Sequence, residues 1–318
     1  MNIEIFSDEE YNTALEDVIL PWVKEHLIEE DFNSFDGGRL HYYYALRDDA
    51  RAAIVISHGF CEFVGKYYEM MYYFYMAGYS VFFLDHRGHG YSVREVDKKD
   101  LVHIHDFHTY VRDMECFIEG CVKQKSVCGR LFMYAHSMGG AIAALYLENN
   151  PGIIEKVVLS SPMIEMAPAG AKSYEIALVK LLSHVPFLAK QFGPGQHGFD
   201  NIYKYKDSSA LSEPRYAFIF SCRQKDEHFT TYGGSFAWTR ESLNISKEII
   251  KNAPKVQIPV ILFQAGKDNL VEPQAQQEFC RLAKDARLVR YDDSKHEIYN
   301  ATDDIRAGYI KEIITFYE

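Results

Sequence analysis

Short apolar runs alternate with amphipathic stretches along most of this chain. Residues 40–46, 52–57, 80–84, 131–134, 156–160, 260–265 and 287–291 are apolar or tyrosine-rich segments of strand length. Unbroken hydrophobicity, clearest in Ile54-Val55-Ile56, suits parallel strands buried on both faces. Between them, residues 67–77, 106–125, 141–148, 273–284 and 303–317 read as helices. In 106–125, Tyr110, Met114, Phe117 and Val122 share one apolar stripe, and Gly78 stops the helix before it. This alternation predicts an α/β fold: a mostly parallel central sheet with helices on both faces.

Two stretches break the rhythm. In residues 1–35, Val18, Ile19, Trp22, Val23 and Leu27 fall near helical spacing, with Pro21 an expected interruption. This is a helical leader with a packing role. After Ser161-Pro162 the next buried strand starts at 260, much too far for an ordinary crossover. The intervening chain holds an apolar helix candidate at 176–188, a glycine-rich turn at 193–198, and helical pattern over 215–222 and 231–250, where Phe236 and Trp238 stand. The expected division is a leader (1–35), a first core part (36–161), an inserted cap or lid (162–255) and a second core part (256–318). Few basic residues (Lys172, Lys180, Lys190) accompany 176–188, so it is expected as cap core or pocket wall rather than as a membrane-surface anchor.

Composition narrows the partners. The chain has 318 residues with a formal net charge of −11, which argues against nucleic acid and against electrostatic docking on anionic membranes. No apolar run approaches the ~20 residues a membrane span requires, so stable insertion is not expected; transient contact with a membrane surface would fall to the cap. The first ten residues lack the basic and apolar regions of a secretory signal. Six scattered cysteines without a CxxC pair suit free thiols in a reducing, cytoplasmic setting. The oligomeric state is left open.

The chemistry concentrates at 130–140. The apolar run ending at Tyr134 gives way to Ala135-His136-Ser137-Met138-Gly139, and helix formers follow at once. Strand, sharp turn and helix with a serine at the apex is the nucleophile-elbow pattern G-x-S-x-G, with Ala135 in the first glycine's place. A serine hydroxyl needs a base, a group to orient that base, and donors for the oxyanion. Asp268 follows the strand at 260–265, and His296 follows the strand ending at Tyr291. The chain order Ser137, Asp268, His296 is the one that accompanies this elbow. His296 is therefore the expected general base, oriented by Asp268. Asp292, Asp293 and Glu297 are alternative acids, but they crowd His296 in sequence. The expected oxyanion donors are the backbone N–H groups of Met138 and of Phe60, in the loop His58-Gly59-Phe60. His58 is expected to anchor that loop. His103-Ile104-His105-Asp106-Phe107-His108 imitates a metal-binding cluster, but its spacing favours a helix entry and solvated face; no metal or cofactor is expected.

Several motifs occur in one order: His58-Gly59-Phe60-Cys61-Glu62 with Lys66-Tyr67, Asp85-His86-Arg87-Gly88-His89-Gly90-Tyr91-Ser92, Asp106-Phe107 with Tyr110-Val111-Arg112-Asp113, and Ala135-His136-Ser137-Met138-Gly139-Gly140. Together they resemble the monoacylglycerol lipase and lysophospholipase L2 group of α/β-hydrolases, of the serine aminopeptidase S33 type. The resemblance covers most of 36–165 and 255–318. It implies the α/β-hydrolase fold, an inserted cap, a Ser137–Asp268–His296 triad, oxyanion donors at Phe60 and Met138, and an acyl ester of a small polar alcohol as substrate. Departures are Ala135 in the elbow and Phe60-Cys61 where small residues are common, so the acyl pocket is expected to differ in shape. The cap resembles the group least. The expected activity is cofactor-free hydrolysis of monoacylglycerol or lysophospholipid. Two other readings stand beside it: a soluble carboxylesterase for short-chain or aromatic (cinnamoyl-type) esters, and a non-catalytic binding protein using the same pocket.

Overall fold

The computed structural model describes residues 3–167, 170 and 172–318. The first two residues of the expected leader, and 168, 169 and 171 of the expected cap, lie outside them. Ten strands are described: β1 Ile28–Asn33, β2 Arg39–Ala45, β3 Ala53–Ser57, β4 Ser80–Leu84, β5 Leu101–Val102, β6 Leu131–His136, β7 Lys156–Ser160, β8 Gly233–Gly234, β9 Pro259–Ala265 and β10 Asp285–Tyr291. Eight form one sheet in the order β1-β2-β4-β3-β6-β7-β9-β10. The pairs flanking β2 are antiparallel and the rest are parallel. β5 and β8 make a separate two-stranded ribbon that joins a core loop to the long insertion.

The sheet is buried on both faces, as its unbroken apolar runs require. Val55, Phe82, Met133 and Leu159 point into one hydrophobic cluster; Ile54, Ile56, Phe83 and Phe132 point into the other. Every residue of β3, β4 and β6 is buried. Their C-terminal ends open onto the loops that carry the chemistry.

Two sequence expectations need correction. The leader is a helix over 11–26 that passes through Pro21. A π turn at Leu15–Ile19 precedes the proline, and the Leu20 amide reaches back to the Leu15 carbonyl. This wider turn accommodates the proline ring, so the hydrogen bonding shifts without the helix ending. The leader is also not helical to residue 35, because 28–33 is the edge strand β1. Its acids are matched across the sheet: Glu30 accepts from the hydroxyls of Tyr42 (2.5 Å) and Tyr44 (2.7 Å), and Asp31 from Arg39 (2.9 Å). Charge on an edge strand also discourages pairing with other chains.

Between β7 and β9 the insertion carries helices Ser173–Leu182, Pro186–Ala189, Glu213–Lys225 and Phe236–Asn252. The apolar stretch expected as one helix over 176–188 is broken after Leu182, ahead of Pro186. None of the residues of Ser173–Leu182 is buried, so it is not cap core. No helix among the described residues is long and apolar enough to cross a membrane.

Candidate active site

Ser137 terminates β6 and caps helix Met138–Asn149, with φ 51° and ψ −118°. A non-glycine residue at positive φ is strained, and persists only where its surroundings enforce it. Here the Ser137 amide bonds to the Ser160 carbonyl (3.0 Å) and its carbonyl accepts from Met163 (2.9 Å). Close packing completes the turn. A Cβ on Gly139 would collide with the Ser57 carbonyl, and one on Gly140 with Pro162. Ala135 lies in register between Ser57 of β3 and Leu159 of β7 and is fully buried, so smallness is the requirement it meets.

The His58–Glu62 loop follows β3. The His58 ring accepts from the His86 amide at Nε2 (3.0 Å), so its Nδ1 carries the proton and donates to the Gly59 carbonyl (2.7 Å). Complete burial pulls its pKa down to about 4 and keeps it neutral. His58 therefore anchors the loop. The Gly59 amide donates to Glu62 Oε2 (2.6 Å) and the Cys61 amide to His89 Nε2 (3.1 Å). Between them the Phe60 N–H has no acceptor among the described residues. Cys61 takes φ 58°, which turns the loop back. The Phe60 ring stacks on Trp238 of the insertion at 3.9 Å between centroids.

Asp268 and His296 meet. His296 Nδ1 lies 2.6 Å from Asp268 Oδ2, and Oδ1 accepts from the Leu270 amide (2.9 Å). Burial opposes the charge on Asp268, yet the His296 contact and the Leu270 and Val271 amides hold its carboxyl below the ordinary value. Both side chains are 5% exposed. The alternative acids are engaged elsewhere: Asp292 with Arg290 (2.6 Å), Asp293 with Lys267 (2.8 Å) and Glu297 with Lys66 (2.7 Å). The His296 ring packs against that of His136, the neighbour of Ser137, at 4.9 Å. Ser137, His296, Phe60 and Gly59 line one cavity of about 750 Å³.

A buried ionic network, with no role assigned to it from the sequence, supports this site. Glu62 also accepts from Tyr67 (2.5 Å), Tyr299 (2.7 Å) and Lys66 (2.8 Å). Burial raises the cost of its charge, but Lys66 and these donors hold it well below the ordinary glutamate value. Lys66 then bonds Glu297, beside His296. The His58–Glu62 loop and the loop carrying His296 are thus joined through one lysine. The motif Glu62 with Lys66-Tyr67 was the available signal.

The histidine cluster divides. His103 is buried and bonds Ser235 Oγ (2.9 Å) in the insertion, and His108 pairs with Glu248 (2.9 Å). The third group near His103 and His105 is Glu95, not His108; ligand atoms of the three lie within 4.8 Å of one another. None of them lines the cavity that holds Ser137.

A family model described as serine aminopeptidase, S33, matches residues 48–303. A probable lysophospholipase L2 of Haemophilus influenzae is 28% identical over 280 residues, covering 87% of this chain and 88% of its own. The human monoglyceride lipase is 28% identical over 275 residues, covering 85% and 84%. A soluble variant of the Saccharomyces cerevisiae monoglyceride lipase, solved with a substrate analogue, superposes with a TM-score of 0.70 at 21% identity over 91% of this chain and 93% of its own. With a mostly parallel sheet, a serine elbow and a match over most of its length, the chain is an α/β-hydrolase and belongs to the serine aminopeptidase S33 (Hydrolase_4) family.

Proposed function

We propose that the protein is a cofactor-free serine hydrolase that cleaves the ester of a single-acyl lipid, a monoacylglycerol or a lysophospholipid. The observation that carries this is the cavity: Ser137 and His296 line about 750 Å³ of space whose walls are largely apolar. Such a space accommodates one acyl chain and a small alcohol. Met163, Met166, Val179, Leu182, Leu243 and Val271 supply apolar wall. The relatives named lysophospholipase and monoglyceride lipase support the same substrate class.

In this reading His296 takes the proton of Ser137 as the oxygen attacks the ester carbonyl, and Asp268 holds the imidazole in the right tautomer. The N–H groups of Phe60 and Met138 receive the developing oxyanion. His296 returns the proton to the departing alcohol, and water, activated by the same ring, releases the acid from the acyl-enzyme. Residues 162–255 act as the cap over this cavity. Tyr174 (65% exposed), Leu181 (67%) and Phe187 (75%) form an apolar outer surface on it, which supports transient contact with a lipid surface. Six unpaired cysteines support a reducing, cytoplasmic setting.

The test is a panel of lipid and nitrophenyl esters on the wild type and Ser137→Ala. The expected outcome is turnover of medium- and long-chain esters, abolished in the variant. Preference for acetate or butyrate favours the short-chain esterase instead, and turnover surviving in Ser137→Ala contradicts the mechanism.

A further inference from the structure

The cavity in front of Ser137 has a side arm. A smaller chamber of about 190 Å³ adjoins it, and Lys66, Arg223, Tyr232 and Glu297 line both. Lys66 is already neutralised by Glu62 and Glu297. Arg223 is not. One of its Nη2 protons goes to the Cys61 carbonyl (2.7 Å). Its Nε is buried without a hydrogen-bond partner, and among the described residues no carboxylate pairs with it. The rings of Phe63, Phe199 and Tyr232, 5.6–5.9 Å from its guanidinium carbon, hold it in place. A guanidinium has five donors; Nε is buried, one Nη2 proton is used, and the other Nη protons of this half-buried side chain are left to donate to an occupant of the cavity.

Beyond Arg223 the chamber changes character. Phe199, Tyr216 and Phe220 line it together with the carboxylate of Asp207 and with Lys204, whose charge is met by Asp200. A planar donor fork followed by aromatic faces and a carboxylate suits a zwitterion. The fork would take a phosphate in two parallel bonds, and the rings and Asp207 would take an ammonium. A glycerol head group would leave the guanidinium charge without a counter-ion.

We propose that this chamber is the head-group subsite and that it selects lysophospholipids with a zwitterionic head group, phosphoethanolamine or phosphocholine, over monoacylglycerol, with Arg223 as the phosphate anchor. This rests on the serine-hydrolase reading and adds which alcohol leaves. The acyl C–O bond breaks, the acyl group stays on Ser137, and the glycerophospho-alcohol departs with the proton from His296. Water then displaces the acyl group as free acid.

The test compares kcat/KM for lysophosphatidylethanolamine, lysophosphatidylcholine and monoacylglycerol of one acyl chain, in the wild type, Arg223→Gln and Arg223→Lys. Wild type is expected to favour the lysophospholipids. The ratio of lysophospholipid to monoacylglycerol kcat/KM is expected to fall roughly tenfold or more in Arg223→Gln, through KM, and to recover partly in Arg223→Lys. A wild-type preference for monoacylglycerol overturns the proposal. So does a ratio unchanged in Arg223→Gln, including equal loss on all substrates, which would make Arg223 only a brace for the Cys61 loop. Failure of the underlying reading looks different: no lipid is turned over, or Ser137→Ala is as active as wild type.

Discussion

Ser137 depends on small neighbours more than on polar ones. Its backbone can hold φ 51° because Gly139 lets the helix start touch Ser57 and Gly140 clears Pro162. Ser161, in the adjacent strand-end loop, takes φ 42°, so strain collects at the C-terminal ends of β6 and β7. A different residue carries a cost with no catalytic return. Glu148, near the end of the same helix, is 5% exposed and neither carboxylate oxygen has a hydrogen-bond partner among the described residues. Burial, with Glu248 nearby, pushes its pKa up to about 8. The folded state therefore holds a proton that the unfolded state releases at lower pH. Stability is intact below the ordinary glutamate range and is lost as pH rises through about 8. Glu148→Gln is predicted to match wild type in thermal melts near about pH 4 and to melt higher near about pH 9; equal melting at both contradicts the assignment. At this scale the sequence was informative about position: Ser137, Asp268 and His296 fall in the loops past the C-terminal ends of β6, β9 and β10. It was less informative where a contact closes between two distant segments: the motif holds Glu62 and Lys66 four residues apart, but no local pattern encodes the closure onto Glu297.

Helix Ser173–Leu182 and the turn Pro186–Ala189 illustrate how one apolar element can serve two surfaces. Ile176, Val179 and Leu182 face the cavity, while Tyr174, Leu181 and Phe187 face outward. Periodicity announced an apolar helix but not its second face, since none of its residues is buried in a core. If the outer face meets lipid, Leu181→Asp combined with Phe187→Asp should weaken sedimentation with neutral phosphatidylcholine vesicles and slow turnover of vesicle-borne substrate more than that of a dissolved nitrophenyl ester. Equal vesicle binding by variant and wild type removes the membrane role. Core elements were legible because parallel strands read as unbroken apolar runs; residues 80–84 and 156–160 coincide with β4 and β7. β1 was hidden because Glu29, Glu30 and Asp31 look like a solvated helix end until β2 provides their partners.

Across the whole molecule, the leader ties the insertion to the core. Asp8 accepts from Arg215 (2.6 Å), Ser212 (2.7 Å) and Arg306 (3.2 Å), and the Phe6 carbonyl accepts from both arginines. Arg215 also grips Glu69 of the core (2.6 and 2.7 Å). Helix Glu213–Lys225, which carries Arg223, is thus fastened to the leader, while helix Ser173–Leu182 packs on helix Phe236–Asn252 of the insertion. The sheet collects three loop ends, and residues of the insertion line the apolar cavity in front of them. What unites these levels is the proposal that Ser137 is an activated nucleophile, which a fluorophosphonate probe interrogates directly. Intact-mass and peptide mapping of the full chain should show one adduct per molecule, on the peptide containing Ser137, with labelling strongly slowed in His296→Ala. No adduct, or an adduct on another residue, would contradict the account.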